Sequence, residues 1–365
     1  MKRRAFLTGA ATGAAAALAG LPPPAIARGP RELTMIALWS RDEPVLGALA
    51  QRLARRIAEA TGGEIEVVVR EPGEVVPQFE TFDAVSAGRA DMYYGAEHLW
   101  QFKSRAFNFF GGVPYGLTAS ETAGWIRQGG GQELWDELAA RYNMKPFLVG
   151  NTGGQMGGWF KAEIRDLEDY KRLRISAPGL AGEVLRHLGA TAVATPMSNI
   201  VAALSSGFLD GAVGLGPWYD EALGIHRVAK FYYFPGVQQP NMALSCSMNL
   251  DMWRSLTEAQ RTMIHLATEA ERARVEAEFS ARNTVALRSL RKQRGVRVWG
   301  YPQDIMNAIG ESAGEIVAEA GRSEPMAHKI YASFLAYRRA AMSWSKFSDQ
   351  AFSEARLLPF RFAHT

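Results

Sequence analysis

Cysteine is nearly absent from this sequence: Cys246 stands alone among 365 residues. A single cysteine forms no internal disulfide, and no Cys/His spacing here resembles a zinc site. Cys246 therefore reads as a small buried apolar residue. A strong charge of either sign is also lacking, with 41 Lys and Arg set against 37 Asp and Glu, and nothing in that balance suggests a nucleic-acid partner. Long apolar runs are missing as well. The one candidate, near the N-terminus, is short and rich in Gly and Ala, which argues against a membrane helix. Gly-x-Ser-x-Gly, P-loop and His-Glu-x-x-His patterns do not occur. The histidines are scattered, with His98 the one near a predicted site edge. Glu163, Asp166, Glu168 and Asp169 read as a solvated acidic loop. Nothing nominates a catalytic dyad or triad, and no cofactor motif is found.

What is present begins with an export signal. Lys2, Arg3 and Arg4 precede Ala5-Phe6-Leu7, a weakly apolar stretch to Leu21, then Pro22-Pro23-Pro24 and Ala25-Ile26-Ala27. A basic start, a moderate apolar middle and an A-x-A site predict a signal peptide over 1–27, cleaved near Ala27. The paired arginines suggest twin-arginine export and a periplasmic destination. Because residues 1–27 hold those three basic residues and no acid, removing them takes the formal net charge from +4 to +1.

The rest alternates strand and helix. A first strand is expected over 33–38 with Trp39 past its end. A helix over 44–60 follows, its apolar side formed by Leu46, Leu49, Leu53 and Ile57, and its solvated side by Arg52, Arg55 and Arg56. A second strand over 64–69 completes a parallel αβ unit. Helices are expected from Thr257, with a plausible cap at 257–260, to about 294, then over 302–319 and 325–344. The last carries an apolar stripe of Ile330, Phe334, Tyr337 and Met342, which must pack on its own lobes or on a partner chain.

Two stretches stand out. Phe147-Leu148-Val149 reads as a buried strand leading into Gly150-Asn151-Thr152-Gly153-Gly154-Gln155-Met156-Gly157-Gly158-Trp159-Phe160. Glycines let a small molecule approach the backbone, while Asn151 and Gln155 can donate and accept hydrogen bonds. The same residues also suit an ordinary glycine-rich loop. The second feature is an echo. Residues 84–92 (Ala-Val-Ser-Ala-Gly-Arg-Ala-Asp-Met) resemble residues 203–211 (Ala-Leu-Ser-Ser-Gly-Phe-Leu-Asp-Gly). Each reads as a helix end, a cap glycine, and an Asp entering a strand. The match suggests two similarly built αβ lobes. Ligands of such sheets sit beyond the carboxyl ends of the strands, which points to 95–100 and 214–218. Trp39, Tyr94, Trp100 and Trp218 lie near these edges.

The signal, the paired lobes, the 151–160 segment and the terminal helices together resemble the periplasmic solute-binding proteins of tripartite ATP-independent (TRAP) transporters. Likeness is strongest to the branch that binds α-keto acids and monocarboxylates. Further matching pieces are 73–77, 214–221 and 232–236. The resemblance implies an α/β, two-lobed periplasmic binding fold with a cleft and long C-terminal helices. Lobe I is expected from 28–150 and 238–300, lobe II from 151–237, and a helical segment from 301–365. It also implies a small-molecule solute, delivery to membrane permease subunits, no enzyme activity and no cofactor. A homodimer exchanging the terminal helix is a further expectation.

Departures from that family bear on the ligand. Ser176 stands where the family's carboxylate-clamping arginine aligns, with Arg174 two residues away on the same strand face. The family's metal-holding positions read Val213, Gly214 and Gln239, so no metal is expected. Asn151 and Gln155 are retained. The ligand-binding set is therefore expected among Trp39, Tyr94, His98, Trp100, Asn151, Gln155, Arg174, Ser176, Gly214, Trp218 and Gln239. The expected ligand is an organic solute other than a metal-bound keto acid. Alternatives are an organic acid held by a different basic group, and an exported enzyme or a sensor on the same architecture.

Overall fold

The computed structural model describes residues 29–359 apart from Arg294; the signal expected over 1–27 lies outside the described residues. Two sheets organise the described chain. The first has the order β2 (Ile65–Arg70), β1 (Arg31–Ala37), β3 (Met92–Gly95), β10 (Ala243–Asn249), β4 (Met144–Asn151). β1 and β3 run parallel, pairing Met35 with Met92, whereas β10 runs antiparallel to both β3 and β4. The second sheet has the order β11 (Arg297–Gly300), β9 (Phe231–Phe234), β5 (Gly158–Phe160), β8 (Gly211–Ala212), β6 (Arg174–Ser176), β7 (Thr191–Val193). Thus 297–300, expected in lobe I, is paired in register with Phe231–Phe234 of the second sheet.

The echo seen in the sequence is a repeated hydrogen-bonded joint. In the first sheet α2 (Thr81–Ser86) ends at Gly88, whose φ is +72°, and Asp91 then enters β3. The Asp91 N–H donates to Thr34 O at 3.0 Å, and its Oδ2 accepts from Thr34 N at 2.7 Å. In the second sheet α7 (Ile200–Ser205) ends at Gly207, φ +77°, and Asp210 enters β8. The Asp210 N–H donates to Arg174 O at 2.8 Å, and its Oδ2 accepts from Arg174 N at 2.9 Å. Only glycine adopts that φ without a Cβ penalty. Each aspartate satisfies the N–H of the residue just before the first ladder pair with the neighbouring parallel strand, where the ladder leaves it unpaired.

A 35-residue helix, α10 (Glu258–Lys292), joins the two cores. It starts in the capping box expected at 257–260, formed by Thr257 and Gln260. Its Val275 and Phe279 pack in the core of the first sheet, and its Leu290 with Trp159 and Tyr232 of the second. Helix α1 (Gly47–Ala60) crosses α10 with Leu49, Leu53 and Ile57 buried. Arg52 and Arg56, expected on the solvated face, instead both hold the fully buried Glu271 of α10 at 2.6 Å. A carboxylate out of water needs such partners, which is why the two arginines turn inward.

The terminal helices α11 (Gln303–Arg322) and α12 (Pro325–Ser345) fall where the periodicity predicts. Ile330 and Phe334 of α12 are buried against the chain's own core, Phe334 meeting Phe109 and Trp125 at 5.4 Å each. Farther on, Met342 is exposed. Among the described residues no helix is long and apolar enough to cross a membrane.

Candidate functional site: a cleft at the strand ends

A cleft partly open to solvent is lined by segments that follow β1, β2, β3, β6, β7 and β8. These are Leu38 to Ser40 with Glu43, Pro72, His98 and Leu99, Pro178, residues 194–198, and Val213 to Leu215. Gln78 and Phe79 after β2, and Gln239 and Met242 just before the antiparallel β10, complete the wall. The cleft thus gathers the carboxyl ends of parallel strands from both sheets, as the geometry of open α/β sheets dictates.

Its chemistry is mostly apolar. Trp39 is 7% exposed, stands edge-on to Tyr94 and lines the cleft. His98 is held by close backbone. A Cβ on Gly111 would lie 2.7 Å from His98 N, and Gly179, at φ +65°, lies under the ring. Its Nδ1 has no protein partner, and burial lowers its pKa to about 4, so the imidazole is neutral at pH 7. Gly214 sits directly over a buried carboxylate, since a Cβ there would fall 2.4 Å from both Asp220 oxygens. Asp220 accepts from Trp159 Nε1, Tyr232 Oη and Leu215 N, so it fastens the loop rather than facing a ligand. Burial raises its pKa to about 6.

Of the residues expected to bind ligand, the structure brings Trp39, His98, Gly214 and Gln239 to the cleft wall. The others are placed differently. Asn151 is fully buried, donating to Asn241 Oδ1 at 2.7 Å and accepting from Gly153 N. The Gln155 amide, oriented to satisfy its neighbours, donates to Gln239 O at 3.1 Å and accepts from Thr152 Oγ1 and Met242 N. Both amides hold the glycine-rich turn in shape. Tyr94 and Trp100 are core residues, Trp100 packing on Phe82 and Tyr93. Trp218 stacks edge-on to Phe279 of α10. Ser176 is 2% exposed within β6 and does not reach the cleft surface.

Arg174 is the clearest departure. Its Nε and Nη2 both bond Asp210 at 2.9 Å on the exposed start of β6, at the end of the strand away from the cleft. It is committed to the joint described above. Among the described residues no Lys or Arg lines the cleft.

Most of the lining escaped the sequence reading, Gln78, Phe79, Thr195 and Ser198 included, and Glu43 is its acidic member. Glu43 was assigned to no role, yet it is 8% exposed, lines the cleft, and accepts from the Tyr219 hydroxyl. Burial pushes its pKa up, and the Tyr219 hydrogen bond opposes this. Its position four residues past Trp39, beyond the end of β1, was the available signal.

Residues 36–323 match the model of the family described as bacterial extracellular solute-binding protein, family 7. The chain belongs to this family. It is 33% identical over 303 residues, 83% of each chain, to the monocarboxylate 2-oxoacid-binding periplasmic protein of Nostoc sp.. Among solved structures it resembles a TRAP transporter solute-binding protein from Bordetella bronchiseptica, whose site holds copurified calcium and picolinate. There the TM-score is 0.86 at 29% identity, covering 90% of this chain and 98% of that one. A TRAP periplasmic solute-binding protein from Pseudoalteromonas atlantica, with bound sodium and pyruvate, gives a TM-score of 0.85 at 30% identity, covering 91% of this chain and 100% of that one. As a family 7 member the protein has the two-lobed TRAP binding fold and works outside the cytoplasm with membrane permease components.

The metal ions of those relatives prompt a test of fit. Among the described residues no group of three or more His, Cys, Asp and Glu side chains is placed to hold an ion. At the cleft, Val213 and Gly214 bring no side-chain oxygen, and the lone carboxylate, Glu43, already accepts from Tyr219. Ser40, Gln78, Thr195, Ser198 and Gln239 add only neutral side-chain oxygens, so the wall offers a hard cation a single carboxylate, a poor donor set.

Proposed function

We propose that this TRAP solute-binding protein captures a small organic solute that is not a simple carboxylate, and releases it to its permease. The observation that carries this is the cleft wall: among the described residues no guanidinium or ammonium lines it, and Arg174 is bound to Asp210 outside it. A buried carboxylate ligand without a positive partner is costly. The apolar faces of Trp39, Leu99, Met197, Leu215 and Met242 suit an apolar solute body.

Thermal denaturation with a panel of solutes tests this, because a ligand that binds only the folded state raises the melting temperature. Pyruvate and other short 2-oxo acids are expected to leave it unchanged. Binding is also expected to survive exhaustive chelation and exchange of sodium for potassium. A tenfold loss on either change, about 1.4 kcal/mol, would reveal an ion site.

A second reading, a monocarboxylate receptor, is favoured by the identity with the Nostoc 2-oxoacid-binding protein. Strong stabilisation by pyruvate would establish it in place of the first. We further propose that the exposed end of α12 and the helix after it contact a second copy of the chain, the surface being Trp344, Phe347 and Phe352.

A further inference from the structure

We infer that Glu43 makes this cleft a receptor for organic cations, solutes joining a protonated amine to a compact apolar body. The inference rests on the reading of the cleft as lacking a carboxylate clamp and names the ligand class that such a cleft takes.

Among the described residues Glu43 is the one acidic side chain on the cleft wall, and no Lys or Arg lines it. His98, which shares the wall, is neutral at pH 7. Among the described residues the only protein donor reaching the Glu43 carboxyl is the Tyr219 hydroxyl, which bonds Oε1. Oε2 has none. A carboxylate so placed has lost most of its water without gaining a cation, a costly arrangement that a bound ammonium would relieve.

The backbone is built to keep it there. Glu43 lies in the turn between β1 and α1, and Val45 in that turn has φ +65°, a left-handed value rare for a β-branched residue. Gly47 closes the turn so tightly that a Cβ would lie 2.2 Å from Ser40 O. Strain of this kind persists only where surrounding contacts over-determine it, and it clusters at ligand sites. The Glu43 carbonyl accepts from Gly47 N at 3.1 Å, which sets the carboxyl at the start of α1.

The neighbouring aromatic completes the recognition chemistry. Trp39 stands four residues before Glu43 on the same segment and also lines the cleft. An indole face attracts a cation electrostatically, Trp being the strongest of the aromatic side chains in this role. A carboxylate and an indole lining one cleft are a pair that selects ammonium over a neutral or anionic head.

The test uses wild-type protein and a head-group series on a common body: primary alkylammonium ions from ethyl to benzyl, the matched alcohols, and the matched 2-oxo acids. Melting temperature and calorimetric affinity are read for each at pH 7.5. At least one ammonium is expected to bind about tenfold or more tightly than its alcohol, and Glu43→Gln, which keeps a partner for Tyr219, is expected to abolish that preference. Alcohols that match or exceed the ammonium ions, or no ammonium binding at all, would overturn the inference while leaving the unclamped cleft standing. Tightest binding by the 2-oxo acids would overturn both. An ammonium preference that persists in Glu43→Gln would place the cation elsewhere and remove Glu43 from the role.

Discussion

Arg174 and Asp210 meet side chain to side chain and backbone to backbone, with both guanidinium contacts at 2.9 Å. Their pairing lies at the start of β6, the strand end opposite the cleft. Arg174→Ala is therefore expected to leave solute affinity within about twofold of wild type and to lower the melting temperature slightly. Calorimetric titration with any solute that stabilises the protein checks it. Loss of binding would mean that the arginine reaches the cleft.

Asn151 links three segments, because its partner Asn241 donates in turn to Leu117 O at 2.7 Å. Asn151→Ala strands the Asn241 oxygen and the Gly153 N–H. A cost of about 1–3 kcal/mol in folding stability is expected for such unpaired buried groups. Urea denaturation measures it. An unchanged midpoint with tenfold weaker solute binding would instead make Asn151 a ligand contact.

Glu97 gives a pH signature. It is fully buried in the first sheet's core, accepts from Tyr93 Oη and Ser247 Oγ, and has its pKa pushed by burial to about 7. Between the ordinary carboxyl value of 4.5 and about 7, the folded protein holds a proton that the unfolded chain releases. Stability from this group is thus present below pH 4.5 and is lost as the pH rises through 7. Glu97→Gln is expected to raise stability at pH 8 by about 1–3 kcal/mol and to flatten that part of the profile. His98, with its pKa lowered to about 4, acts oppositely, losing stability as the pH falls from 6.5. Melting curves of Glu97→Gln, His98→Gln and wild type from pH 4 to 8 separate the two. An unchanged slope in Glu97→Gln would show that Glu97 is ionised in the fold.

The terminal helix is only half used by its own chain. Met326, Ala327, Ile330 and Phe334 are buried, whereas Trp344 is 68% and Phe347 81% exposed. Replacing Trp344, Phe347 and Phe352 by Ser is expected to convert a wild-type dimer to monomer without lowering the melting temperature of the monomer. Sedimentation equilibrium decides it. Equal masses for the two proteins would remove this surface as the contact.

Local patterns alone determined several of the elements and their kind. The 3.6-residue period of Leu49, Leu53 and Ile57, the Thr257–Gln260 capping box, and the paired Gly–Asp joints at 88–91 and 207–210 each involve neighbours in the chain. Each appears in the structure where its pattern lies. The family likeness was legible for the same reason, since it rests on contiguous segments. Which strand-end residues face the cleft was decided by tertiary structure. Arg174 is drawn from any ligand by Asp210, 36 residues on; Asn151 by Asn241, 90 residues on. Arg52 is turned inward by Glu271, 219 residues away, and Glu43 is presented by a strained turn and met by Tyr219, 176 residues away. A side chain's orientation follows its best available partner, and partners so distant in sequence leave no trace in a local window. Only the folded chain brings them within hydrogen-bond reach.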